Sequence, residues 1–531
     1  MATTYEIHPA IGTARVGSSH EFFFGPEPDG QPPARYRDDA GDLKRQAARF
    51  RTFVCQRDDR GLLLKADELP SADATVTWTV QLANRKAAAP KFLDNGQPTI
   101  DAKTGRFIQD SPARRNNATG DDAADSDLII APGSRSLTGL NQGPAPFDTG
   151  KFRGTAVPLG EIRTDQTGRL IVVGGFGRSR SNPASPLTNQ FADNDNWYDD
   201  TADGPVTASI RFNDGRVENA MPAWVIACQP KFAPAFSPLV TLYDMLYDLS
   251  AHDGTRLPGA PARPGFDVDV WPILQRVLNY QWVNTFARDN HGPGGRADFT
   301  DKNRWRGLDD PSAAGAPNRQ RIFSLLRDPS SSSPPAGLPW MPALFSDDYA
   351  EDTQRALTLT RVQYGILKAW ASGNFDRTRA VASELMPDTL TRLTLQACVG
   401  GAFFPGIEAG RRLADRSLFM ANEPFRLSHD ALKAGEVTEC MALPWQADFF
   451  DCTWEDGAGK GWWPTHRPDD VLLEVSPGDG PKQWIDGVAN MNELVARWSQ
   501  LGIVVARQQP DGSVAYVETE RTLAGPRTSK E

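Results

Sequence analysis

From Ala74 to Leu82 the chain reads Ala-Thr-Val-Thr-Trp-Thr-Val-Gln-Leu. β-Branched and aromatic residues crowd this run and neither glycine nor proline interrupts it, so it is expected to be a strand. Working outward, Asp127–Ile130 and Arg169–Val173 are further short strand candidates, set apart by Gly, Pro, Asn and Asp clusters that signal turns. The intervening Asp110–Ser126 is too polar for a core and is expected as a surface loop. After Pro234 the period changes. Phe236–Leu249, Val268–Phe286, Thr353–Ala371 and Asn490–Leu501 place apolar residues three and four apart, which predicts helices. Arg327–Pro342 is rich in Ser and Pro and is expected to wrap the surface as a loop. No repeat is evident. The reading is an α+β chain, with a strand-rich part over 1–235 and a helix-rich part over 236–531.

At 531 residues the chain is long enough for two to four domains of ~150 residues each. Hydrophobic residues make up 39% and charged residues 23%, which excludes a disordered tail protein, and no apolar run approaches a membrane span. Fifty-seven Lys and Arg against 67 Asp and Glu give a net charge of −10, which speaks against a nucleic-acid partner. The opening residues lack a basic segment followed by an apolar one, so synthesis in the cytoplasm without a secretory signal is expected, later export staying open. Forty-two prolines and 46 glycines imply many turns and long connections. Six of the 14 tryptophans fall after residue 440, where they serve either the core or chemistry.

Three motifs invite a function and two lose it. Gly174-Gly175-Phe176-Gly177 follows the strand-like RLIVV, but Pro183 and Pro186 stand where a phosphate-binding helix would run, so a tight turn is expected. Asp193–Asp200 packs four carboxylates into eight residues. Trp197 and Tyr198 occupy the places where a calcium loop needs an oxygen ligand and a glycine, so a solvated acidic turn is the better reading, with the aromatic pair as a pocket candidate. The five cysteines form no CxxC pair and meet no histidine at zinc-finger spacing, so no metal is expected. Cys398 stands apart. It ends a helical pattern and is followed at once by Gly400 and Gly401, where backbone can approach another group closely.

The segments Ile7–Gly17, Phe24–Glu27, Lys44–Phe50, Trp197–Asp200, Cys398–Gly401 with Pro405–Glu408, Pro444–Phe449, Trp462–Pro464 and Arg467–Asp469 occur in this order over nearly the whole chain. Together they resemble the cysteine tryptophylquinone-dependent oxidases, the relatives of L-lysine 6-oxidase and quinone-type glycine oxidase. The resemblance implies a protein-derived quinone, made by joining a cysteine sulfur to a tryptophan indole and adding two oxygens to the indole. By motif position the cysteine is Cys398 and the tryptophan is Trp463 or Trp462, with Trp463 preferred. A separate flavoprotein is implied as maturation partner, and a homodimer or homotetramer as assembly. The implied reaction oxidises an amino acid or primary amine with O2, giving aldehyde or keto acid, ammonia and hydrogen peroxide. Such chemistry needs a built cofactor, because no standard side chain accepts two electrons.

A proton acceptor near the quinone is also required, and only six histidines are available. His429 is the first candidate, His291 in its glycine-rich loop the second, and His466 the third. Tyr198 resembles an active-site tyrosine of the lysine oxidases. One position departs from the family. An aspartate that serves cofactor formation is implied four residues before the cysteine, and here that residue is Thr394. Asp388, ten residues upstream of the cysteine, cannot occupy the same helical position. Two alternatives therefore stand beside the oxidase: a protein of the same fold without a completed quinone, acting as binding or scaffold protein, and a calcium-binding surface protein.

Overall fold

The computed structural model describes residues 2–58, 62–91, 114–116, 125–188, 191–252, 257–299, 301, 303, 307–330, 341–344, 357–381, 383–400, 408–409, 412–451, 463–474, 480–510 and 512–523. Ala74–Gln81 is a strand, and it belongs to a 13-stranded sheet. Along the sheet the order is Ser134–Thr138, Ala74–Gln81, Ala202–Phe212, Ala223–Cys228, Ile11–Arg15, Arg45–Arg57, Leu170–Val173, Glu161–Thr164 and Ala145–Pro146. The long Arg45–Arg57 strand also pairs Ala2–His8, Phe22–Phe24 and Leu63–Glu68.

Two central strands position the site. Ala223–Cys228 and Ile11–Arg15 run parallel, with Ile226 opposite Thr13 and Cys228 opposite Arg15. Both are buried along their whole length, as expected for strands covered on both faces. Because successive side chains alternate, Ala14, Ala223, Val225 and Ala227 enter one apolar cluster with Phe50, Trp78 and Val80. Ile11, Trp224, Ile226 and Cys228 enter another, with Leu242, Leu246, Leu395 and Cys398. The cysteine singled out by sequence therefore sits against the face of the sheet that also carries Thr13 and Arg15.

The last strand of this sheet ends at Cys228 and the next helix starts at Leu242. Several expected elements differ in detail. Phe236–Thr241 is irregular, with only Thr241 in a single bridge to Val399, and the helix spans only Leu242–His252. Its backbone is claimed elsewhere: Leu242 N–H donates to the Cys398 carbonyl (3.0 Å) and Gly400 N–H to the Val240 carbonyl (2.9 Å). The expected helix 268–286 is broken into a π-turn at Phe266–Val270, the helix Trp271–Asn279 and a second helix at Thr285–His291, the last started by the Asn284 side chain. Arg361–Ala371 begins at a capping box of Thr360 and Gln363, so the helix starts later than its apolar period suggests. Asn490 caps Met491–Arg497. Asp127–Ile130 is not a strand; Asp125–Leu128 is a short helix and Ile130 forms a single bridge with Asn84. The helix-rich part also carries a hairpin, Ile503–Gln508 with Val514–Thr519.

Of the expected surface loop 110–126, Arg115 is fully buried on Asp193 (2.7 Å), a charge pairing that no local pattern announces. Residues 331–340 of the Ser/Pro-rich stretch lie outside the described residues. Trp445, Trp463, Trp484 and Trp498 are all core residues of one cluster, so most of the tryptophan excess near the C-terminus is packing. Among the described residues no helix is long and apolar enough to cross a membrane.

Candidate active site

The Met386–Gln396 helix delivers Cys398 to the sheet just after its last turn. The Cys398 thiol donates to the Thr394 carbonyl (3.3 Å) and lies 3.2 Å from the Thr13 hydroxyl. The turn that follows is pinned to residues 240–242, and a Cβ on Gly400 would collide with the Thr241 carbonyl. The close backbone approach expected of this glycine is therefore real. Cys398 is wholly buried, and burial first, then the neighbouring Glu408 charge, pushes its thiol up to about 12.

Arg15, from the adjacent strand, donates to Glu408 (2.6 Å), the Gln229 carbonyl (3.0 Å) and the Ala397 carbonyl (3.4 Å). Glu408 also accepts from His466 Nε2 (2.9 Å) and from the Val399 N–H (2.9 Å). Burial alone would raise this carboxyl, but His466 and Arg15 hold it down at about 2. Burial drives His466 down to about 4, against the pull of Glu408, so its imidazole is neutral near neutral pH. An ionised Glu408 can only accept, so His466 Nε2 carries the proton and Nδ1 faces the Thr465 hydroxyl at 3.1 Å. Lys231 donates to the carbonyls of Phe236 (2.5 Å) and Ala397 (3.2 Å), and burial, then Arg15, lowers it to about 7.

Trp463 belongs to the same neighbourhood. The N–H of His466 donates to its carbonyl (3.0 Å), and residues 465 and 466 are held by the N–H groups of Ala233 (3.1 Å) and Phe232 (2.9 Å). The Trp463 ring is 1% exposed and packs edge-on against Phe449, centroids 4.7 Å apart. Arg467 Nε closes this corner by donating to the Phe449 carbonyl (2.7 Å). The motifs at 398–408, 444–449 and 463–469, far apart in sequence, thus converge on one buried corner. Trp462 lies outside the described residues.

Other sequence candidates sit elsewhere. His429 Nε2 donates to the Ala223 carbonyl (3.1 Å) and its ring stands edge-on against Trp224, contacts that tie it to the strand backbone. His291 ends its helix against the Ala297 carbonyl (3.2 Å) and Phe299, lining an apolar cavity of about 380 Å³ that neither Cys398 nor Trp463 lines. Burial lowers both imidazoles. Tyr198 packs on Phe152 in the sheet core, and its neighbour Asp199 takes Lys86 (2.8 Å) and the Trp445 N–H (3.2 Å). The acidic turn is not solvated as expected. Asp193, Asp199 and Asp200 are buried; Arg115 and Lys86 neutralise the first two and the Phe176 N–H donates to one oxygen of the third, an arrangement that does not resemble a calcium loop. The glycine run before it is a turn, Gly177 having φ +68. Sequence reading passed over Thr13, Arg15 and Lys231 and gave Glu408 no role. The signal available was a charged Arg15 among small apolar residues in a strand destined for burial.

Among the described residues one further group could hold a cation, Glu6, His8 and Cys55. Arg57 (2.7 Å) and Arg426 (3.7 Å) already neutralise Glu6, so it is an ion-pair cluster.

The family profile described as L-Lysine epsilon oxidase N-terminal matches residues 8–227, and that described as L-lysine epsilon oxidase C-terminal domain matches residues 342–472. The chain belongs to the L-lysine epsilon oxidase family. Both crosslink candidates and all of the Arg15–Glu408–His466 cluster fall inside the matched regions. L-lysine 6-oxidase of Marinomonas mediterranea is 25% identical over 97% of this chain and 89% of its own length. The crystal structure of the L-Lys epsilon-oxidase from that organism superposes with a TM-score of 0.78 at 23% identity, covering 98% of this chain and 95% of the other. A second structure of that enzyme, described as the Schiff base intermediate with L-Lys, matches with the same TM-score, 0.78. The α+β architecture read from sequence is the fold of these L-lysine epsilon oxidases.

Proposed function

We propose that this protein is an oxidase of amino acids or primary amines, working through a quinone built from Cys398 and Trp463. Its family is one of amino-acid oxidases, and the observation that carries the reading is the shared clasp of the two residues. Glu408 binds the N–H after Cys398 and, through His466, the turn that begins at Trp463. The side chains fit the group: sulfur and indole are both buried, and the one hydrogen bond the Cys398 S–H donates, to the Thr394 carbonyl, is a weak one that the crosslink would give up. The quinone supplies an electrophilic carbonyl and a two-electron sink that standard side chains lack. The chain's own residues exclude water, hold a cation (Arg15) and an anion (Glu408) in balance beside the sulfur, and keep His466 neutral. Lys231, at about 7, is an amine able to hold or release a proton beside Cys398 at neutral pH. O2 is the electron acceptor of this reading, with ammonia and hydrogen peroxide as products. A flavoprotein is the maturation partner and a homo-oligomer the assembly.

The test is the mass of the peptides containing Cys398 and Trp463, from protein made beside its flavoprotein. A single crosslinked species carrying two added oxygens is expected, together with peroxide release on an amine. Two separate unmodified peptides would overturn the oxidase. Thr394 favours a second reading, a protein of this fold with no finished quinone. Its hydroxyl is too weak a base to replace a carboxylate, although its carbonyl already accepts the Cys398 thiol. Unmodified peptides together with tight amine binding would favour that reading.

A further inference from the structure

We propose that Glu408 is the positioning residue for the crosslink, holding the Cys398 and Trp463 turns in register and setting the charge beside the thiol until the bond is made. The proposal rests on the oxidase reading above. An Arg–Glu pair alone would satisfy the electrostatics of burial. Here the carboxylate does more. One oxygen takes both Arg15 and His466, the other takes the Val399 N–H. Those last two partners lie on the two segments that must meet. Two other fully buried pairs, Arg115–Asp193 and Lys86–Asp199, touch neither turn.

Thioether formation breaks the Cys398 S–H and one indole C–H, forms the C–S bond, passes two electrons to the oxidised flavin of the maturation protein and releases two protons. Such a step needs sulfur and ring carbon at near-contact distance, and a misplacement of about 1 Å costs on the order of a hundredfold. Glu408 also opposes Arg15 at the sulfur: its charge pushes the thiol up, while Arg15 pulls it down. Replacing it with a neutral amide frees the turns and leaves Arg15 uncompensated.

The experiment compares wild type, E408Q, H466Q and R115M, each made beside the flavoprotein. The readout is the crosslinked fraction of the Cys398 and Trp463 peptides in folded protein, with melting followed separately. R115M breaks a buried pair away from both turns and reports what lost stability alone does. E408Q and H466Q are expected to lower the crosslinked fraction at least about tenfold, while R115M melts earlier and stays crosslinked. If E408Q does not fold, H466Q decides, because it leaves Arg15 on Glu408. A wild-type crosslinked fraction in E408Q or H466Q overturns the proposal, and so does an equal loss in R115M. Wild type with no crosslink overturns the oxidase reading instead, and this one with it.

Discussion

Replacing Lys231 with methionine tests the charge balance around Cys398 through stability. Burial, then Arg15, lowers this ammonium from its ordinary 10.5 to about 7. The sign follows from linkage. Between those two values the unfolded chain carries the proton and the folded chain does not, so stability rises with pH across the window. The slope is ~1.4 kcal/mol per pH unit, so raising the pH from about 7 to about 8.5 adds ~2 kcal/mol, trimmed to ~1 to 2 because Lys231 is partly exposed. K231M lacks the titration. Its urea midpoint should be at or above that of wild type near pH 7, despite losing bonds to the Phe236 and Ala397 carbonyls, and the advantage should shrink or reverse by about pH 8.5. The neighbouring thiols Cys228 and Cys398 are pushed up by burial, Cys398 to about 12, so they stay protonated in the folded protein over this range and their contribution from the unfolded chain is common to K231M and wild type. Parallel pH profiles for K231M and wild type would refute the depressed lysine.

Four further outcomes are expected. C398S and W463F should each abolish the crosslinked peptide while W462F keeps it, as read by mass. R15M strips Glu408 of its cation in a buried place and should cost ~3–5 kcal/mol in denaturant unfolding; a loss below about 1 kcal/mol would mean that His466 and the Val399 N–H suffice. His8, like His466, is lowered to about 4 by burial, so the unfolded chain binds more protons between pH 4 and 6.5 and stability falls as acid is added through that range. H8Q should remove ~1.4 kcal/mol per pH unit from that acid slope, measured by urea midpoints, and an unchanged slope would place the sensitivity elsewhere. G400A should lower folded yield, because its methyl meets the Thr241 carbonyl; soluble protein at the wild-type level would show that the 241–242 segment can yield.

Much of the architecture was legible locally. Ala74–Gln81 forms its strand because β-branched and aromatic residues suit a pleated, half-buried surface over a short run, and Asn490 starts its helix because a side-chain acceptor satisfies an exposed N–H. Cys398 was marked by its place at the end of a helical pattern before Gly400 and Gly401, and the tryptophan excess near the C-terminus was visible as a count. Helix starts were missed where a distant segment claims the backbone. The apolar period at 236–241 is helical, yet those residues stay out of the helix because the Cys398 turn bonds to residues 240–242. The acidic turn at 193–200 read as solvated because its cations, Arg115 and Lys86, lie some 80 or more residues away in the chain.

The site divides in the same way. Local sequence determined which side chains could carry the chemistry, since thiol, indole and imidazole are properties of single residues. It did not determine which histidine joins the Glu408 carboxylate that binds the Cys398 turn. His429 and His291 had the more suggestive surroundings, yet the first is bound to the Ala223 carbonyl and the second lines a separate cavity. His466 joins the site through Glu408, which meets Arg15 from a strand some 390 residues earlier. Charges buried together interact strongly, and only closure of the chain brings them within reach, so the pairing of Arg15, Glu408 and His466 and the resulting protonation states are decided by tertiary structure.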